Sequence, residues 1–333
     1  MNKSYLNFRT DMADERVDTY KKVHNLSEID GIKVENKRVG NINTTIVDVI
    51  NDNGKNAVGK DIGKYITIEV PSMEYIEEKD KEEIISEVSN NIEVLIKSVM
   101  YNVDKDTSVL VVGLGNEYVT PDSLGPKVVS YVDITRHLMK YAKEYMDDNT
   151  KEISAISPGV LGTTGIETME IISSIVNKIN PKAIIVIDSL ASMSVSRVGK
   201  TIQLSNTGIT PGAGVGNKRE PLDKNTLGVP VIVIGVPTTV DMATITNEAI
   251  DKLIGKLKTE ANTYMNHGLD SNKVDEIFDL FEKENRYSII ANVLDTENYI
   301  VTPKEIDNLI DKISEIIASS INTALKPEKT RFN

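Results

Sequence analysis

Between residues 81 and 258 the chain alternates short, unbroken apolar runs with longer segments of helical period. Val109–Val112, Ala183–Ile187 and Val229–Gly235 have no polar member and read as strands buried on both faces. Ile153–Ile156 and Thr201–Leu204 are weaker strand signals. Around them run amphipathic helices. Lys81–Met100 gathers Ile84, Val88, Ile92, Leu95 and Val99 on one side, and Pro303–Ala324 does the same with Ile306, Ile310, Ile313, Ile317 and Ile321. Further helices are expected from about Asp122 to Tyr145, after Thr164-Gly165 through about Ile179, and from near Asp241. This alternation predicts an α/β fold with a mostly parallel sheet flanked by helices.

The first 80 residues have a different rhythm. Gly31–Glu35, Thr44–Ile50 and Tyr65–Val70 look like strands of a small β region at the edge of the main sheet, with a turn at Asn53-Gly54. Residues 1–25 are polar and charge-rich without a sustained period and read as an exposed, mobile arm. Asn206–Pro221 reads as a long loop, and Val236-Pro237-Thr238-Thr239 as a turn.

Composition narrows the picture. With 333 residues, 40% hydrophobic, no Trp and four Phe, the core must be built mainly from Ile, Val and Leu in one compact domain. A formal charge of -12 argues against direct gripping of nucleic acid. The absence of cysteine removes thiol nucleophiles, disulfides and cysteine-held metal. The N-terminus has no apolar signal core, and no run of about 18 apolar residues is present to span a membrane, so a cytoplasmic protein is expected.

The chemistry concentrates in VLVVGLGNEYVTPDSLGP at 109–126, where a buried strand ends in a glycine turn and Asp122 follows. The second buried run, at 183–187, ends on Asp188. Crevices outside the carboxyl ends of such strands are where α/β folds bind ligands. Either aspartate alone reads as a helix cap, and a helix N-terminus would hold Asp122 ionised with a depressed pKa. Together they form a candidate acid/base pair, one member keeping a proton while the other activates water. Asp241, also just past a buried strand, is a reserve candidate. The glycine turn lacks the third glycine of a dinucleotide site, since Tyr118 stands at that position, and there is no Walker sequence. His24, His137 and His267 form no recognisable set, and neither HExxH nor GxSxG occurs. A metal held by carboxylates stays open, as does a non-catalytic ligand-binding α/β protein using the Gly113–Gly115 turn.

Longer strings carry a resemblance. RTDMADE at 9–15, VVGLGNEYVTPDSLGP at 111–126, SPGVLGTTGIET at 157–168, IVIDSLAS at 185–192, GITPGAGVGNKRE at 208–220 and VPTTVDMATIT at 236–246 resemble the germination proteases of endospore-forming bacteria, over nearly the full length. The resemblance implies an atypical aspartic-type endopeptidase without a cofactor, similar in fold to hydrogenase maturation proteases. Its catalytic aspartates match Asp122 and Asp188, and its substrates are small acid-soluble spore proteins. It also implies a homotetrameric zymogen of the forespore and spore core that cuts itself at a Thr/Ser-acid↓apolar-Ala-x-Glu site. Thr10-Asp11-Met12-Ala13-Asp14-Glu15 fits that pattern, with cleavage between Asp11 and Met12, a propeptide of residues 1–11 and a peptidase domain of 12–330. A metal-dependent peptidase of the hydrogenase maturation type, with Asp122 as ligand, is the alternative.

Overall fold

The computed structural model describes residues 10–71, 73, 76–100, 107–147, 150–212, 219–265, 290 and 299–326. Eight strands lie side by side: β1 (Ile32–Val39), β2 (Ile42–Val49), β3 (Gly63–Glu69), β4 (Ser108–Gly113), β5 (Glu152–Ile156), β6 (Ala183–Ala191), β7 (Thr201–Ser205) and β8 (Val231–Asp241). Their spatial order is β1-β2-β3-β7-β8-β6-β4-β5, and a short β9 (Ile300–Val301) pairs with the end of β8. The expected parallel sheet is the β8-β6-β4-β5 half, where the unbroken apolar runs sit. The strands β1, β2, β3 and β7 are antiparallel and continuous with it. The sheet as a whole is therefore mixed, and the early strands β1, β2 and β3 form its antiparallel edge, as the sequence led one to expect.

Helices cover both faces. On one, α3 (Glu78–Val99), α4 (Leu124–Tyr131) and α10 (Ile306–Leu325) pack on Ile66, Ile68, Val109, Val111, Ile185 and Ile232. On the other, α7 (Thr168–Ile179) and α8 (Lys224–Leu227) cover Leu110, Val112, Ile184 and Val186. On that same face α1 (Ala13–His24) and α2 (Asp52–Val58) close over Val47, Val49 and Tyr65. Strand alternation alone sends odd and even residues to opposite faces. The short helices α5 (Arg136–Tyr141) and α6 (Leu161–Thr164) sit in the connections, and α9 (Met242–Met265) follows β8 directly.

Four sequence expectations change. Of the supposed arm, residues 1–9 lie outside the described residues, while the stretch that follows is docked: Thr10, Met12, Ala13, Asp14, Glu15 and Val17 are all buried. The Asn53-Gly54 turn lies inside α2, because the Asn51 side chain accepts from the Gly54 N–H at 3.0 Å and caps a helix there. The helix expected over 122–145 breaks after Tyr131. Val132, Ile134 and Thr135 are β-branched, and Thr135 bonds β5 instead, donating to the Lys151 carbonyl and accepting from Ile153 N–H. Finally, the Val236–Thr239 turn is strand, since β8 runs on to Asp241. It carries Pro237 beyond the last β7 pairing, where a missing N–H costs no ladder bond on that edge, and beside a register shift at Leu190/Ala191.

Candidate active site

The site lies where β4 and β6 end, at the point where the chain order reverses: β5 lies on one side of β4 and β6 on the other. The Leu114 N–H donates to the Ile187 carbonyl at 2.8 Å, so the glycine turn is tied to β6 as it leaves the sheet. Gly115 has φ +113°, and a Cβ there would meet the Asp122 carbonyl oxygen at 2.0 Å. Only glycine permits that approach. It lets the Asn116 N–H bond both the Asp122 carbonyl (3.1 Å) and Asp122 Oδ2 (2.9 Å).

Asp122 therefore belongs to a 3-10 turn, Thr120–Asp122, ahead of α4, and its environment reverses the sign expected from a helix terminus. Burial pushes its pKa up to about 6, opposed only by the Asn116 N–H. Asp188 is raised well above the ordinary carboxylate range by burial first, then by the charges of Asp122 and Asp11, against one hydrogen bond from the Ser189 N–H (2.9 Å). The two aspartates share a cavity of about 340 Å³, which Asp11, Ser189, Thr238 and Ile300 also line. The Ser189 and Thr238 hydroxyls are buried and have no hydrogen-bond partner among the described residues.

Asp11 is delivered by the docked N-terminal segment. Its N–H donates to the Ala191 carbonyl (3.2 Å) and its Oδ2 accepts from the Ala191 N–H (3.2 Å), which extends the end of β6 by one strand-like contact. The Asp11 carbonyl oxygen accepts from Lys60 Nζ (2.6 Å) and Gln203 Nε2 (3.1 Å), and Gln203 Oε1 accepts from the Ala13 N–H (2.7 Å). Met12, between them, is fully buried. The acidic residues that follow converge on Arg197: Asp14 at 2.6 Å and Glu15 at 3.4 Å, with Glu69 also at 3.4 Å. Glu15 further accepts from the Thr10 hydroxyl and from the Met193 N–H (3.0 Å).

The structure thus gathers Asp11, Asp122 and Asp188, and leaves Asp241 apart. Asp241 is buried, but both its carboxylate oxygens are bonded by Thr244 at 2.8 Å, the N–H and hydroxyl of the first turn of α9, and it does not line the cavity. His24 and His137 sit on α1 and α5, neither lines the cavity, and His267 lies outside the described residues. Among the described residues no three His, Asp or Glu side chains gather as a metal cage, and no helix is long and apolar enough to cross a membrane. Lys60, Gln203 and Arg197 were not singled out from the sequence. The one available signal was Gln203, a long amide between the apolar Ile202 and Leu204 in a strand run.

The family model described as germination protease matches residues 9–331. A germination protease of Clostridium perfringens (strain ATCC 13124) is 44% identical over 324 residues, covering 96% of each chain. That of Clostridium tetani is also 44% identical, over 97% of this chain and 96% of its own. The Priestia megaterium protein is 39% identical over 362 residues, covering 99% and 96%. Among solved structures, a [NiFe] hydrogenase maturation protease, HycI, from Thermococcus kodakarensis KOD1 matches 40% of this chain and 74% of its own, at 19% identity and a TM-score of 0.27. By the family match and the relatives that share nearly its whole length, this chain is a peptidase of the germination protease family.

Proposed function

We propose that the chain is the zymogen of an aspartate-based endopeptidase that degrades small acid-soluble spore proteins at germination and matures by cutting its own Asp11–Met12 bond. The observation that carries the reading is that Asp11 lines the same cavity as Asp122 and Asp188. The bond to be cut is therefore tethered beside the two carboxyls at high effective concentration, and its cleavage is governed by protonation rather than by encounter. Asp188, the more strongly raised, keeps the proton and serves as general acid; Asp122 is the base that takes a proton from water. Were both ionised, no acid would be present. Acidification protonates Asp188 and completes the pair.

Each residue of the Thr-acid-apolar-Ala-x-Glu pattern has a partner. Thr10 bonds Glu15, Asp11 pairs with Ala191, Met12 and Ala13 are enclosed, and Glu15 meets Arg197. A spore protein with the same pattern takes these places once the chain's own segment has been released. In keeping with the family resemblance, the enzyme works as a homotetramer in the forespore and spore core, without a cofactor and without touching DNA or membrane itself.

The test is intact mass of the full chain after incubation at mildly acidic pH, with and without EDTA, for the wild type and Asp122→Asn. The expected result is loss of residues 1–11 from the wild type in both conditions and from the variant in neither. Inhibition by EDTA would transfer the reading to a metal-dependent peptidase. An uncut wild type would sink self-cleavage.

A further inference from the structure

Among the contacts of the docked segment, one set is aimed at the bond that would break. The Asp11 carbonyl belongs to the Asp11–Met12 peptide, and two donors from separate elements converge on its oxygen. Lys60, from the turn after α2, approaches to 2.6 Å, and Gln203, from β7, to 3.1 Å. Both donors thus lie within hydrogen-bond distance of the oxygen on which negative charge would develop during cleavage. The orientation of the Gln203 amide is fixed, because its oxygen is occupied by the Ala13 N–H two residues downstream. Reversing the amide would set nitrogen against N–H and oxygen against carbonyl. Asp11 also lines a second cavity, of about 240 Å³, together with Lys60, Gln203 and Arg16. The residue thus lies between the carboxylate cavity and a donor-lined cavity.

We propose that Lys60 and Gln203 form the oxyanion site of this peptidase, with Lys60 the catalytic cation. The assignment rests on the self-cleavage reading above. Water adds to the Asp11 carbonyl carbon and gives one proton to the Asp122 carboxylate. The carbonyl π pair moves onto oxygen, where the Lys60 ammonium and the Gln203 N–H hold it. Collapse re-forms the carbonyl and breaks the C–N bond. That electron pair stays on the Met12 nitrogen, which takes a proton from Asp188. One proton remains on the aspartate pair, and the products are the Asp11 carboxyl and the Met12 amine. Partial burial strengthens the Lys60 charge at the oxygen, since interaction grows as the local dielectric falls. The same burial lowers its pKa only to about 8, which leaves it charged at neutral and acidic pH.

An anchoring lysine and a catalytic one differ in what their loss does to docking. In the full-length chain, Lys60→Met is expected to slow the first-order loss of residues 1–11 by roughly 10²–10³-fold. Lys60→Gln, which keeps a neutral donor, should fall between it and the wild type. Hydrogen exchange is then compared in Asp122→Asn chains with and without Lys60→Met, where the segment stays uncut. Protection of the Met12 and Ala13 amides should be the same in both. Loss of protection together with loss of rate would make Lys60 an anchor and overturn the assignment. So would an unslowed Lys60→Met in a wild type that cuts. A wild type that never sheds residues 1–11 would overturn the self-cleavage reading and this assignment with it.

Discussion

Asp122→Asn is expected to yield a chain that no longer cuts and is more stable than the wild type at pH 8. Burial raises the Asp122 pKa to about 6, so the folded state binds that proton more tightly than the unfolded chain does. The stability this supplies is fully present below the unfolded value near 4 and is lost as pH rises through 6. A shift of this size corresponds to about 3 kcal/mol at pH 8, as an upper value, because one pKa unit is about 1.4 kcal/mol. Asparagine does not titrate and still accepts from the Asn116 N–H, so it escapes the loss. The advantage of the variant over the wild type should therefore be small at pH 4, grow between pH 4 and 6, and stay level above. Urea melts at these three pH values measure it, and an advantage that does not change with pH would remove burial as the cause. Asp188→Asn should also gain on the wild type as pH rises, since burial first, and then the charges of Asp122 and Asp11, raise its carboxyl well above the ordinary range. Cleavage by either variant should fall at least about 10³-fold, within the range that positioned acid–base groups contribute. In the wild type the cleavage rate should drop about tenfold per pH unit below 6, where Asp122 itself becomes protonated. A rate that keeps rising down to pH 4 would contradict Asp122 as the base. Stability given up where chemistry is done is the usual signature of a working site.

The two aspartates were legible because their signal is local. An apolar run of four or five residues followed at once by a turn and an acid needs only neighbouring residues to be recognised, and Val109–Asp122 and Ala183–Asp188 both have that form. What was not legible depended on partners far along the chain. Asp14 and Glu15 look like solvent-facing charges until Arg197 is placed beside them, and nothing in residues 1–25 foretells that pairing. The sign of the Asp122 shift was missed for the same reason. A sequence displays the helix start that would lower the pKa, but not the burial that raises it. The end of β8 was missed through a local rule that the fold overrides. Pro237 reads as a stop, yet the β7–β8 pairing ends two residues earlier, at Gln203 and Gly235, so no ladder bond on that edge needs the missing N–H.

Arg197→Met should destabilise the chain by about 3–5 kcal/mol at pH 8, the range for breaking a buried ion pair from one side. Arg197 is 19% exposed in its side chain and serves Asp14 and Glu15, each 9% exposed. Without it two enclosed carboxylates face each other, and one oxygen of Asp14 already lacks a partner among the described residues. Glu15 already stands above its ordinary pKa, because burial outweighs the Thr10 hydroxyl, Arg197 and the Met193 N–H. Removing Arg197 takes away one of those opposing influences, so Glu15 is expected to take up a proton more readily. The cost should then shrink between pH 8 and pH 5, as protonation replaces the lost cation. Thermal melts of the wild type and Arg197→Met at both pH values test this, and a cost equal at both would mean that lost packing, not unpaired charge, is the cause. Arg197→Lys should recover only part of the loss, since one ammonium cannot reach Asp14, Glu15 and Glu69 with the separate nitrogens that the guanidinium offers. Because these acids sit three and four residues beyond Asp11, a network loosened by Arg197→Met should also slow self-cleavage through undocking, and hydrogen exchange of residues 10–17 should rise in step. That joint change is what separates Arg197, which holds the segment in place, from Lys60, whose loss should slow the chemistry and leave the segment where it is.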